Sequence, residues 1–250
     1  MQFALSIFSK TSNLGGVAAT NMTQQQFDSL LHHHIVTTFI QEGHAPTNAL
    51  LARKVASSVD DVETGLLRLQ ASHGLVLHPG RCEVWVIHPF SSSPTHTWVQ
   101  AGTKGWWAPC MWCALGIAAL VKGRLTVHTR IGGEAEPVQI DVADAVPLQT
   151  ELFVHFAEPP RRAWDNVHHF CARVLPFRSP EDVGDWGRRH QLPLGEVMPI
   201  AQLAELAQRW YSHHADSDWE KWTPAQAMEI FRSTGLVSDF WKLDTSAGRY

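Results

Sequence analysis

Apolar positions recur at helical spacing in the first third of the chain. Phe27, Leu30, Leu31, His34, Ile35, Thr38 and Phe39 fall on one side of a 3.6-residue period, and Gly43 interrupts it. Thr47 is placed to cap a helix over 48–56. Ser58 is placed to cap another, running through Val59, Val62, Leu66 and Leu69 and ending at Gly74. The period then drops to two. Leu75-Val-Leu77 and Glu83-Val-Trp-Val-Ile87 flank Pro79-Gly80, which predicts a β-hairpin.

His88-Pro-Phe-Ser-Ser-Ser-Pro94 reads as a turn-rich link, followed by a strand at Thr97-Trp-Val99. Residues 110–121 predict an apolar helix that Gly123 ends. Leu125–Ile131, Val138–Val142 and Leu152–Phe156 predict strands, and His168–Leu175 a further strand or the end of a short helix. Ser179, Pro180, Glu181 and Asp182 supply a cap, a first-turn proline and first-turn acids for a helix to His190. Ile200–Tyr211 and Pro224–Thr234 predict amphipathic helices.

The expected fold is α+β. An extension over 1–26, expected to be disordered, precedes a winged-helix-like helical module over 27–90, and a mixed α/β domain follows over 91–250. Three helices and a hairpin usually read as a DNA-binding unit. The candidate recognition helix carries Asp60, Asp61 and Glu63 against Arg68, so a packing or lid role is expected instead. Met1 to Thr20 has one lysine and no acids, without the layout of a signal peptide.

Composition narrows the function classes. The chain has 250 residues, enough for a large core, and a formal net charge of −4, which argues against a nucleic-acid partner. No apolar run approaches the roughly eighteen residues of a membrane span, so no membrane partner is expected. Four cysteines are too few for a disulfide scaffold, and a reducing cytoplasmic setting follows. The eleven tryptophans point to an aromatic core. Of Trp106, Trp107 and Trp112, one is expected to line a site and the others to pack.

Two of the four cysteines lie in Gly105-Trp-Trp-Ala-Pro-Cys-Met-Trp-Cys-Ala-Leu-Gly-Ile117, and a third, Cys171, follows His168-His169-Phe170. Cys110, Cys113 and Cys171 allow structural zinc with His168, a redox dithiol at a helix start, a soft-metal catalytic site, or plain buried thiols. Spacing alone leaves these open. Cys82 falls in the hairpin and is assigned no role, and His32-His33-His34 sits on a helical pattern that disfavours a metal tract.

The chain resembles the alkylmercury (organomercurial) lyase family. The likeness runs through His88-Pro-Phe-Ser91, Trp107-Ala-Pro-Cys110, Ala114-Leu-Gly-Ile117, Ala119-Leu120, Gly123-Arg124, Phe170-Cys171, the Asp182–Trp186 helix start, Gly235-Leu236 and Phe240-Trp241. It covers roughly 27–243 and rests on the order and spacing of these pieces. The resemblance implies cleavage of the carbon–mercury bond by thiolate-assisted protonolysis, giving a hydrocarbon and Hg(II). It implies no organic cofactor, thiols that shuttle substrate and product, and hand-off of Hg(II) to a mercuric reductase. The family's two cysteines fall on Cys110 and Cys171. Its aspartate, which serine replaces in some relatives, falls on Cys113, so Cys110, Cys113 and Cys171 become the implied catalytic and mercury-binding residues. The rival readings are a non-catalytic thiol protein that binds zinc or copper, and a metal-sensing regulator on the same cysteines.

Overall fold

The computed structural model describes residues 22–246. Most of the expected N-terminal extension therefore lies outside the described residues. Helix α1 (Gln24–Glu42) opens with a capping box, in which Thr23 and Gln26 satisfy each other's backbone N–H groups. It closes at Gly43, whose φ of 80° is left-handed backbone that glycine adopts without strain. Helix α2 (Asn48–Lys54) is capped by Thr47, and α3 (Val59–Ala71) by Ser58 with Asp61. Leu31, Ile35, Val62 and Leu66 are buried, as the helical period predicts.

Strand β1 (Val76–Leu77) pairs antiparallel with β2 (Val84–Ile87), forming the expected hairpin. The hairpin does not stand alone. β2 pairs with β3 (Phe90–Ser91), and β3 with β5 (Lys104–Trp107), which also pairs with β4 (Trp98–Ala101). Beyond β4 lie β6 (Arg124–Arg130), β7 (Pro137–Ala143) and β8 (Val146–Pro147). One eight-stranded antiparallel sheet, ordered β1-β2-β3-β5-β4-β6-β7-β8, thus runs through the turn-rich link.

Strand β5 escapes a reading by pattern. Gly105 and two adjacent tryptophans break the alternation, and pairing across the Gly102-Thr103 turn overrides it.

Helix α4 (Met111–Val121) follows the sheet, with Cys110 at its N-cap. Met111 through Ala118 are all buried, as an all-round apolar helix requires. It packs on α7 (Ile200–Tyr211). The contact is close at one point: a Cβ on Gly116 would lie 2.3 Å from the Tyr211 ring, so glycine there lets the tyrosine in.

Strand β9 (Phe153–Phe156) is the centre of a second sheet, ordered β10-β9-β11. Its flanking strands are β10 (Val174–Phe177) and β11 (Glu196–Pro199). The ambiguous stretch before β10 is helix α5 (Val167–Cys171), capped by Asn166. Helix α6 (Pro180–His190) follows Ser179 as predicted, and α8 (Pro224–Ser233) is capped by Thr223. A single buried core joins α1–α3, the large sheet, α4 and α7. No described helix is long and apolar enough to cross a membrane.

A candidate three-sulfur site

Cys110, Cys113 and Cys171 come together although 61 residues separate the first from the last. The start of α4 brings two of them into contact: Cys110 Sγ lies 3.4 Å from Cys113 Sγ, and the Cys113 backbone N–H donates to Cys110 Sγ at 3.4 Å. The last residue of α5 supplies Cys171, whose thiol is within hydrogen-bonding reach of both. All three are buried, with at most 5% of any of them exposed. None is in a disulfide.

The three thiols are not equivalent. Burial pushes Cys110 up, but the Cys113 thiol, the Cys171 thiol, the Cys113 N–H and nearby His88 outweigh it and hold Cys110 well below the ordinary thiol range. The helix N-terminus acts in the same direction. Burial and the neighbouring Cys110 push Cys113 well up. Hydrogen bonds to Cys110 and Cys113, together with burial, do the same for Cys171. These directions make Cys110 the thiol of the three that loses its proton most readily.

Two further residues reach the cluster, and sequence reading assigned them no part in it. His88, in the turn between β2 and β3, places Nε2 3.6 Å from Cys171 Sγ. Burial pushes its pKa down to about 4, so its ring is neutral. Tyr211, at the end of α7, places Oη 3.6 Å from Cys113 Sγ, and burial followed by the sulfurs holds its pKa well up. The hint for Tyr211 was an amphipathic helix ending in one of the chain's two tyrosines. The hint for His88 was a histidine inside an otherwise apolar turn.

The pattern allows His168 and His169 on a strand or a short helix end, with at most one of them facing the site. They lie on helix α5, where neighbours diverge by about 100°. His168 packs against Trp85 at 4.1 Å, and His169 bonds Glu158 at 3.1 Å. Among the described residues, the metal-capable group is His88, Cys113 and Cys171, with donor atoms within 4.8 Å of one another.

The cluster floors a cavity of about 80 Å³ with aromatic walls. Trp112 lines it together with Trp164, Trp210, Trp219 and Trp222. Trp106 is core, donating to Phe39 O at 2.6 Å, and Trp107 packs on Trp98. His32 also reaches the cavity, stacked on Trp219, while His33 bonds Ala215 O. Cys82 stands apart in the hairpin, its thiol against Glu63 O at 3.5 Å.

Chemically, the arrangement offers a thiol that ionises readily, two further sulfurs beside it and a cavity with aromatic walls. Soft thiophilic metals suit such donors better than oxygen-seeking ions do.

Residues 90–212 match the alkylmercury lyase family. No curated protein matches the chain. Among solved structures, the mercury-bound form of MerB2 is similar in fold, with a TM-score of 0.59 at 19% identity. The likeness covers 78% of this chain and 98% of that one.

Proposed function

From the match of residues 90–212 to the alkylmercury lyase family, we propose that the chain cleaves the carbon–mercury bond of organomercurials by protonolysis at Cys110, Cys113 and Cys171. The observation that carries this reading is the convergence of three buried cysteines, with Cys110 and Cys113 sulfurs 3.4 Å apart, on one aromatic-walled cavity.

The substrate arrives as R–Hg–S–R′, carried by a small thiol. The Cys110 thiolate attacks mercury and displaces R′S⁻. The second sulfur, Cys171, then joins the metal. Two sulfur donors push electron density through mercury onto the attached carbon and make it more basic. The Cys113 thiol protonates that carbon as the carbon–mercury bond breaks, and its electron pair forms the new C–H bond. Cys113 recovers the proton that Cys171 gives up on binding. The sum is R–Hg–S–R′ plus one thiolate and one thiol, giving R–H, R′S⁻ and a Cys110–Hg–Cys171 bridge. Mercury remains Hg(II), so neither an oxidant nor an organic cofactor is needed.

A proton donor of this kind must carry its proton at neutral pH and sit beside the leaving carbon. Burial of Cys113 meets the first need, and the 3.4 Å contact with Cys110 meets the second. The Tyr211 hydroxyl holds Cys113 from the other side. Small thiols remove the bridged Hg(II), and a mercuric reductase is the natural acceptor.

The flanking module over 27–90 is read as a winged-helix-like packing unit for the domain over 91–250. Its α3 helix is acidic, and its Arg68 is engaged with Asp28 at 2.6 Å, leaving little to hold phosphate. A salt-sensitive, sub-micromolar complex with duplex DNA would overturn that part.

Incubation with methylmercury and excess thiol tests the whole reading. Methane and Hg(II) should appear in equal amounts over many turnovers. Mercury uptake without methane would leave only a thiol trap.

A further inference from the structure

The reaction above uses three sulfurs and leaves His88 without a task. Its imidazole nevertheless reaches the cluster, with Nε2 3.6 Å from Cys171 Sγ, and it falls within the 4.8 Å group that includes Cys113. We propose that Cys110, Cys113, Cys171 and His88 form a four-donor site that holds zinc when no organomercurial is present.

Geometry is the first argument. Zinc–sulfur bonds of about 2.3 Å and zinc–nitrogen bonds of about 2.05 Å at tetrahedral angles require S···S edges near ~3.8 Å and S···N edges near ~3.6 Å. The contacts here are 3.4 Å for Cys110–Cys113 and 3.6 Å for Cys171–His88. The donor atoms of Cys113, Cys171 and His88 already lie within 4.8 Å of one another, and Cys110, 3.4 Å from Cys113, moves toward the other two to complete the shell.

The donor types are the second argument. Three sulfurs and one imidazole match the Cys₃His set of structural zinc sites. No carboxylate lines the cavity, so calcium and magnesium find no oxygen donors there.

The third argument is what the reaction leaves over. The lyase reaction gives the three sulfurs their tasks and leaves the imidazole without one, whereas a tetrahedral cation uses all four donors. Zinc on this site occupies the sulfurs that must attack mercury. It therefore keeps the thiols from oxidation and holds the lyase closed until a more thiophilic metal displaces it.

The site shares its sulfurs with the proposed lyase reaction, so the experiment reads metal and turnover separately. Full-length protein is purified under reducing conditions without chelator or mercury, and its zinc is measured. One zinc per chain is expected. After chelator stripping, cobalt(II) should give the strong visible bands of a tetrahedral thiolate site. His88→Ala and His88→Gln, each checked for an unchanged unfolding midpoint, should bind zinc at least about tenfold more weakly and shift the cobalt bands. His168→Ala should bind zinc as the parent does. Stoichiometric zinc should lower the initial rate with phenylmercury, and chelator should restore it.

Stripped protein that cleaves phenylmercury but gives no tetrahedral cobalt spectrum overturns the zinc site and leaves the lyase reading intact. Cobalt bands without any cleavage support the zinc site and overturn the lyase reading instead. Folded His88 variants with parental zinc affinity and spectrum remove His88 from the shell.

Discussion

Two groups of metal-capable side chains line the same cavity, and they differ in how their donor atoms are placed. In the sulfur group Cys110 Sγ lies 3.4 Å from Cys113 Sγ and Cys171 Sγ 3.6 Å from His88 Nε2, with the N-terminus of α4 at Cys110. In the histidine group, His32 and His214 present rings rather than nitrogens. His32 stacks on Trp219 at 3.5 Å with the planes 3° apart, and the His32 and His214 centroids stand 6.0 Å apart at 64°. The Nδ1 atoms of both rings are buried without a hydrogen-bond partner among the described residues. Burial is the main cause that lowers both pKa values, to about 3 for His214. The lesson concerns direction. Burial by itself neutralises histidines and makes them aromatic wall, whereas burial beside an oriented N–H and two thiols stabilises a thiolate.

The largest effect should come from removing a sulfur that binds mercury. Cys110→Ser and Cys171→Ser should each lower turnover of methylmercury at least about a thousandfold, since residues acting as a unit fail together. Cys82→Ser should leave turnover unchanged, because its thiol lies in the hairpin and outside the cavity lining. Normal turnover in Cys110→Ser would dissolve the contrast with the histidine wall.

Cys113 comes next. Cys113→Ala should slow single-turnover cleavage by about 10² to 10⁴, the usual worth of a positioned acid. Cys113→Asp should keep cleavage and release Hg(II) to added thiol more readily, because a carboxylate beside the bridged metal holds soft Hg(II) less tightly than sulfur does. Equal single-turnover rates for Cys113→Ala and the parent would show that another group carries the proton.

Stability should fall with acid because of the buried histidines. Burial pushes His155 down to about 4 and His214 to about 3, against the ordinary histidine value of 6.5. Between pH 6.5 and those values the unfolded chain binds more protons than the folded one, so stability rises with pH across the window. Above pH 6.5 this contribution is fully present, and it is lost as pH falls through the folded values. The shifts correspond to on the order of 3 kcal/mol for His155 and about 5 kcal/mol for His214 as upper bounds. His155→Phe should flatten the fall in urea midpoint between pH 6.5 and 4, and an unchanged slope would contradict the assignment.

Gly116→Ala tests the close approach of α4 to α7. Its Cβ would meet the Tyr211 ring at 2.3 Å, which should cost about 1–3 kcal/mol by overpacking and move Oη away from Cys113. Urea unfolding reads the first effect and single-turnover rate the second. Smallest of all should be His214→Phe at neutral pH. It keeps an aromatic wall and should change mercury affinity less than about twofold; a larger loss would promote the histidine group to ligands.

Much of this molecule was legible in local pattern. Helices α1, α2, α3, α6, α7 and α8 begin where a Thr or Ser cap or an apolar period said they would, because capping and amphipathicity are properties of a few adjacent residues. The hairpin and strands β6, β7 and β9 followed for the same reason, through alternation and turn chemistry. Strands β3, β5, β8 and β11 did not, since two- and four-residue strands are made by their partners rather than by their own propensity.

The site divides along the same line. Sequence alone singled out Cys110, Cys113 and Cys171, since sparse cysteines and a helix-start Cys-x-x-Cys are local facts, and resemblance tied them to carbon–mercury chemistry. Tertiary structure decided which histidine meets them. His168 is three residues from Cys171 in sequence, yet the turn of α5 carries its ring onto Trp85. His88, 83 residues away, arrives because the β2–β3 turn ends beside α5. Proximity along a helix sets direction as well as distance, and only the packed chain brings a remote donor to face the sulfurs.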